Sequence, residues 1–131
     1  MISLRRKYCA ILPLVLTSKW FNMIRSGEKR EEYRLATEYW QRRFFNWNAA
    51  VSPQKAPIVE FRRGYAKNAP RMAFWCYGLN TPGGLSAYAF VSADDKCKPR
   101  YPEWGEPENA HFLIHLGGRV ELTDEGEVPN D

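Results

Sequence analysis

The first strong pattern along the chain is the apolar run 10–16, Ala-Ile-Leu-Pro-Leu-Val-Leu, which predicts a buried strand. Thr17 or Ser18 can cap a following helix, because a side-chain oxygen there accepts a free backbone N–H. In that helix Trp20, Met23 and Ile24 share one face, and Gly27 ends it. A charged strand over 29–34 comes next. Ala36, Trp40, Phe44 and Trp47 then form a stripe that predicts a second helix over 37–47, with Gln41, Arg42 and Arg43 off the stripe. Pro53 and Pro57 mark 48–57 as a surface linker.

Alternation predicts a strand over 57–63, with Ile58, Glu60 and Arg62 on one face and Val59, Phe61 and Arg63 on the other. Gly64 and Pro70 punctuate a polar loop over 64–71. The aromatic-rich stretch 72–77 predicts another strand, and the Asn-Thr-Pro-Gly-Gly within 78–86 a turn. Residues 87–93 fit a short strand or a short helix. A long loop over 94–108 carries Trp104, and loops of that length are usually functional or disordered. Residues 111–116 predict a strand that 119–122 continue past Gly117-Gly118, ahead of a polar, acidic tail at 123–131.

The 131 residues suffice for one domain spanning 1–131, with its core at about 10–122. Apolar content of 44% and aromatic content of 15% exclude a globally disordered chain. The net charge of +4 conceals an asymmetry. Residues 1–100 carry 18 Lys/Arg against 7 Asp/Glu, a net +11, and residues 101–131 carry 1 against 8, a net −7. A basic body suits a polyanionic partner, and the acidic tail can compete for the same surface. Cys9, Cys76 and Cys97 are odd in number and far apart, which argues against a disulfide framework and for a reducing compartment. No apolar run reaches the length of a membrane span. Arg5-Arg6-Lys7 before an apolar stretch imitates a signal peptide, but Pro13 interrupts it and no small-x-small cleavage site follows, so a cytoplasmic protein is expected.

The densest chemistry lies at 27–34, Gly-Glu-Lys-Arg-Glu-Glu-Tyr-Arg. Glu32 and Arg34 are two apart and share a strand face, and Lys29, at the turn, is long enough to reach it. A cation, a carboxylate and a guanidinium converging at a strand edge can hold an anionic or hydrogen-bond-rich ligand. The same residues also fit a charged edge strand that discourages aggregation. Arg62, Arg63, Tyr65, Lys67, Asn68 and Arg71 form a second basic segment with an aromatic. His111 and His115 have the spacing of a helical metal pair, but in a strand they stand about 13 Å apart, so no metal site is expected.

Leu12-Pro-Leu14, Lys19-Trp20-Phe21, Ile24 and Gly27-x-Lys29-x-x-Glu32-x-Arg34 resemble the signature of the ASCH domain, a member of the PUA-like superfamily. The segment 61–72 and Glu103-Trp104-Gly105 resemble a phage and prophage branch of it, so the likeness runs from about residue 10 to 116. The resemblance implies an α+β fold, a small PUA-like mixed β-barrel with two or three flanking helices and a cleft beside the Lys/Glu/Arg motif. RNA binding is the role it implies for most members. Some members are thought to cleave RNA, and a compact branch hydrolyses acetylated cytidine. That branch has Thr where this chain has Glu32, a departure that argues against a threonine nucleophile.

Three functions follow as expectations. The first is a binding module for single-stranded RNA or a nucleotide-like small molecule, with no cofactor. It uses Lys29, Glu32 and Arg34, then Arg62, Arg63, Tyr65, Lys67 and Arg71, with Tyr65 or Trp104 stacking a base. The second is a hydrolase on the same cleft, a ribonuclease or nucleoside amidohydrolase with Lys29 and Glu32 catalytic. The third is a regulatory protein-interaction module.

Overall fold

The computed structural model describes residues 1–81 and 111–124. The readings made for 82–93, for the 94–108 loop with Trp104, for Cys97 and for the tail beyond Asp124 lie outside the described residues.

Strand β1 (Ile2–Arg5) leads through a 3-10 turn (Arg6–Tyr8) into β2 (Cys9–Leu16). Helix α1 (Ser18–Ser26), β3 (Glu31–Leu35) and α2 (Glu38–Ala50) follow. The described chain finishes with β4 (Ala56–Arg63), β5 (Arg71–Asn80) and β6 (His111–Thr123). The strands form one mixed sheet of order β1–β6–β5–β4–β2, with β3 also paired to β6. At 13 residues β6 is long enough to hold two partners end to end on one edge. Antiparallel β3 takes positions 111–115 and parallel β1 takes 120–123.

Both helices follow from local chemistry. Thr37 Oγ1 accepts from Trp40 N–H and caps α2. Gly27 ends α1 at φ +86°, in the left-handed region that a residue without Cβ enters cheaply. The apolar stripes bury against the sheet. Phe21, Phe44, Phe61 and Phe112 are fully covered, and Phe44 stacks on Phe112 with ring centroids 4.3 Å apart. Each such ring contributes roughly 1.5–3 kcal/mol by leaving water. Ala10, Leu12, Leu14 and Leu16 line this main core, while Cys9, Ile58, Ala73 and Val120 form a smaller cluster of their own.

The fold is mixed, with helices and a sheet as expected, but the sheet is open. No backbone pairing joins β2 to β3 among the described residues. Side chains of β3 and α2 reach the β2 carbonyls instead. Arg34 Nη2 donates to Val15 O at 3.3 Å, Arg43 Nη2 to Pro13 O at 2.9 Å and Trp47 Nε1 to Ala10 O at 2.8 Å. Pro13 has no N–H to offer a partner strand, so β2 suits an edge. The sequence pattern also passed over β1. Met1 and Ile2 are exposed, and β1 exists because β6 lies beside it, more than a hundred residues away in sequence.

No helix among the described residues is long and apolar enough to cross a membrane.

Candidate functional site

The turn after α1 builds the site. Gly27 N–H donates to Ile24 O at 3.1 Å and Lys29 N–H to Met23 O at 3.0 Å, so the chain reverses tightly and delivers Lys29 beneath the helix. Lys29 and Glu32 are then only 4% and 3% exposed. Lys29 Nζ donates to Glu32 Oε1 at 2.8 Å and lies 4.9 Å from the centre of the Trp20 ring. Arg34 shares the face of Glu32, as a spacing of two requires, and its Nη2 donates to Glu32 Oε2 at 2.8 Å. Tyr33 N–H donates to Glu32 Oε1 at 3.1 Å. Both carboxylate oxygens of Glu32 therefore accept from protein donors.

This is a buried triad of two cations around one carboxylate. A buried carboxylate needs such partners, because leaving one uncompensated costs several kcal/mol. With both oxygens engaged and almost no exposed surface, Glu32 is arranged to position Lys29 and Arg34 rather than to take a proton from a substrate. Arg34 continues toward solvent. Its guanidinium lies 4.9 Å from the Trp40 ring and its Nε has no hydrogen-bond partner among the described residues. Arg43 lies 5.0 Å from the same ring.

A cavity of about 210 Å³ opens beside the turn. Ile24, Phe74 and Leu116 give it apolar walls, and Arg25, Lys29, Arg30 and Arg119 give it four cationic residues, with no carboxylate among the described lining residues. Leu116 N–H donates to Arg30 O at 3.0 Å, and that bond holds Gly117, Gly118 and Arg119 against the turn. Arg30 and Arg119 are exposed. Arg25, Arg30 and Arg119 were not among the expected site residues. Arg30 was legible as part of the 27–34 motif, whereas Arg119 carried no local signal beyond the Gly117-Gly118 before it.

Of the expected site residues among those described, Lys29 alone lines this cavity; Glu32, Arg34 and the others do not. Arg62 and Arg63 diverge, because adjacent strand residues face opposite ways. Arg62 Nη2 donates to the carbonyls of Tyr65 and Ala66 and ties down the loop, while the Arg63 guanidinium lies 5.9 Å from the Phe21 ring. Tyr65, 83% exposed, and Lys67 sit on that loop. Arg71 lines a separate cavity of about 250 Å³ with Arg6, Glu60 and Arg119. Trp104 lies outside the described residues. His111 and His115 both belong to β6, and His115 Nε2 meets Asn80 Oδ1. Among the described residues no group of three or more His, Cys, Asp and Glu is placed to hold a metal ion.

Burial pushes the Cys76 thiol up to about 12, against ordinary thiols near 9, and also raises Cys9. Neither is a ready nucleophile. The Arg6 guanidinium is raised by its hydrogen bonds to Glu60, at 2.6 and 3.1 Å.

In comparisons with known proteins, no family model, no curated protein and no solved structure matches the chain.

Proposed function

We propose that this chain is an RNA- or nucleotide-binding domain of ASCH type, with a PUA-like arrangement of strands, that takes its ligand in the cavity beside the 27–34 motif. One observation carries this reading: Arg25, Arg30 and Arg119, beside a Lys29 already paired with Glu32, line a cavity with apolar walls at the turn that bears the motif, and no carboxylate is among its described lining residues. Cations without a competing carboxylate favour phosphate, and apolar walls favour the face of a base. Arg30 and Arg119 supply the exposed charge. The Lys29–Glu32–Arg34 triad fixes the turn that presents them, so the motif contributes mainly by holding shape.

Binding is favoured over hydrolysis at this site. Glu32 has no unengaged oxygen and negligible exposure, and proton transfer requires a base within reach of substrate. The test is fluorescence anisotropy with a labelled single-stranded RNA, comparing wild type with Arg30→Glu and Arg119→Glu. Both residues are exposed, so the variants keep their fold. Saturable wild-type binding that weakens with salt and falls at least tenfold in each variant supports the reading; equal binding by all three proteins refutes it.

A further inference from the structure

The face of the sheet turned away from the helices carries a group of rings. Phe74, Cys76, Ile114 and Leu116 belong to the main core with Phe21 and Phe44 of the helices. Residues that alternate with them on β5 and β6 point to the opposite side, and Trp75, Tyr77 and His115 lie there. Tyr77 is 72% exposed although it sits within a ten-residue strand. Its ring centroid lies 5.4 Å from that of His115. His115 Nε2 in turn meets Oδ1 of the buried Asn80, which fixes the imidazole.

Local backbone makes room for this group. Between the pairs Cys76↔Leu116 and Gly78↔His115, β5 advances two residues while β6 advances one, so Tyr77 is the extra residue of a bulge. Bulges re-aim a side chain at the cost of ladder pairing. Two glycines then let the rings lie close to the strands. A Cβ at Gly78 would come 3.3 Å from His115 Cδ2, and one at Gly117 would come 3.3 Å from Trp75 Cβ and 3.6 Å from Tyr77 Cδ1.

The chemistry of this face suits a base and not a phosphate. Glu31 is level with His115 in the β3–β6 register and shares the face, where it accepts from the Tyr33 hydroxyl. No lysine or arginine is among these residues. A cation stands at the nearby sheet edge instead. Arg30, exposed, precedes Glu31, its carbonyl accepts from Leu116 N–H, and Leu116 pairs with Cys76. Its backbone is therefore two strand spacings, about 10 Å, from the row that bears Tyr77. The motif cavity lies on the helix side, and Arg30 and Gly117 mark the border between the two faces.

We infer that Tyr77, supported by His115 and Trp75, is a stacking platform for one base of a single RNA strand whose phosphates are held at Arg30. This rests on the RNA-binding reading of the motif cavity and adds to it a contact with a base on the opposite face. Stacking uses the face of a ring, so the platform tolerates any base, and it needs an unpaired strand whose bases can turn outward.

The test measures affinity for a labelled single-stranded RNA of about 8 nucleotides and for an abasic strand of equal length, across a salt series. Wild type, Tyr77→Ala, Tyr77→Phe and Arg30→Ala are compared. Tyr77 is exposed, so its variants keep their fold. Tyr77→Ala is expected to weaken RNA binding about tenfold, the loss of one stacked base, with an unchanged salt slope and unchanged binding of the abasic strand. Tyr77→Phe is expected to bind like wild type, because stacking does not use the hydroxyl. Arg30→Ala is expected to weaken both strands and to lower the salt slope by about 0.7, one single-strand phosphate contact. Wild-type RNA affinity in Tyr77→Ala, or an equal loss on the abasic strand, would overturn the platform and leave the motif cavity standing. If Arg30→Ala also bound both strands like wild type, the motif-cavity reading would fall, and the platform with it.

Discussion

Lys29 Nζ and Glu32 Oε1 lie 2.8 Å apart with both side chains under 5% exposed, and Arg34 reaches the other oxygen of the same carboxylate. A residue trio that reads in the sequence as a ligand clamp is in the fold a buried bracket between α1 and β3. Removing one member leaves an uncompensated charge in the interior. Lys29→Met is therefore expected to lower unfolding stability by about 3–5 kcal/mol in urea denaturation. A loss below about 1 kcal/mol would mean that the pair is in effect solvated. Loss of RNA binding by this variant alone would say little about the ligand, which is why Arg30 and Arg119 carry the binding tests.

The turn that feeds the bracket depends on Gly27. At φ +86° with no heavy atom within 4 Å of an added Cβ, Gly27→Ala meets strain and no clash. It is expected to cost about 1–2 kcal/mol. Thermal unfolding checks this, and an unchanged Tm would mean that the turn relaxes.

How much of this was legible beforehand depends on range. The spacing of two between Glu32 and Arg34 and the length of Lys29 were enough to bring the triad together, since both are local geometry. Both helices and β4 were legible from periodicity alone. Arg119 was not legible as a neighbour of Arg30, because that proximity depends on the β5–β6 register and on the bond from Leu116 N–H to Arg30 O. β1 was hidden for the same reason. The alternation over 57–63 already set Arg62 and Arg63 on opposite faces, yet both were expected to grip the ligand. The fold separates them, and Arg62 serves the loop. Barrel closure was an implication of family likeness, and local patterning contained nothing to show that Pro13 and Val15 would be satisfied by arginine side chains.

Cys76 yields a pH-dependent prediction. Its thiol is raised to about 12 in the folded protein, against about 9 when unfolded. Between those values the folded state keeps a proton that the unfolded state has lost, so stability falls as pH rises. This contribution is fully present below pH 9 and lost by about pH 12. A shift of about three units corresponds to roughly 4 kcal/mol at most. Cys76→Ala is expected to flatten the alkaline limb of a stability–pH curve, and a limb of unchanged slope would contradict the burial argument. Iodoacetamide is likewise expected to label Cys76 at pH 8 only after unfolding.

The helix–sheet core depends on the ring stack of Phe44 on Phe112. Phe44→Ala is expected to cost about 3–5 kcal/mol, the range for emptying a buried phenylalanine site. Denaturant unfolding with an unchanged m-value measures it, and a cost under about 1 kcal/mol would mean that the core refills the space.

The central claim concerns where the ligand sits, and NMR titration of the labelled protein with a short single-stranded RNA tests it most directly. The account predicts saturable amide shifts concentrated at Gly27, Lys29, Arg30 and the segment from Gly117 to Arg119, with smaller changes at Arg62 and Tyr65. Shifts concentrated on the 64–70 loop, or none at RNA concentrations well above micromolar, would contradict it.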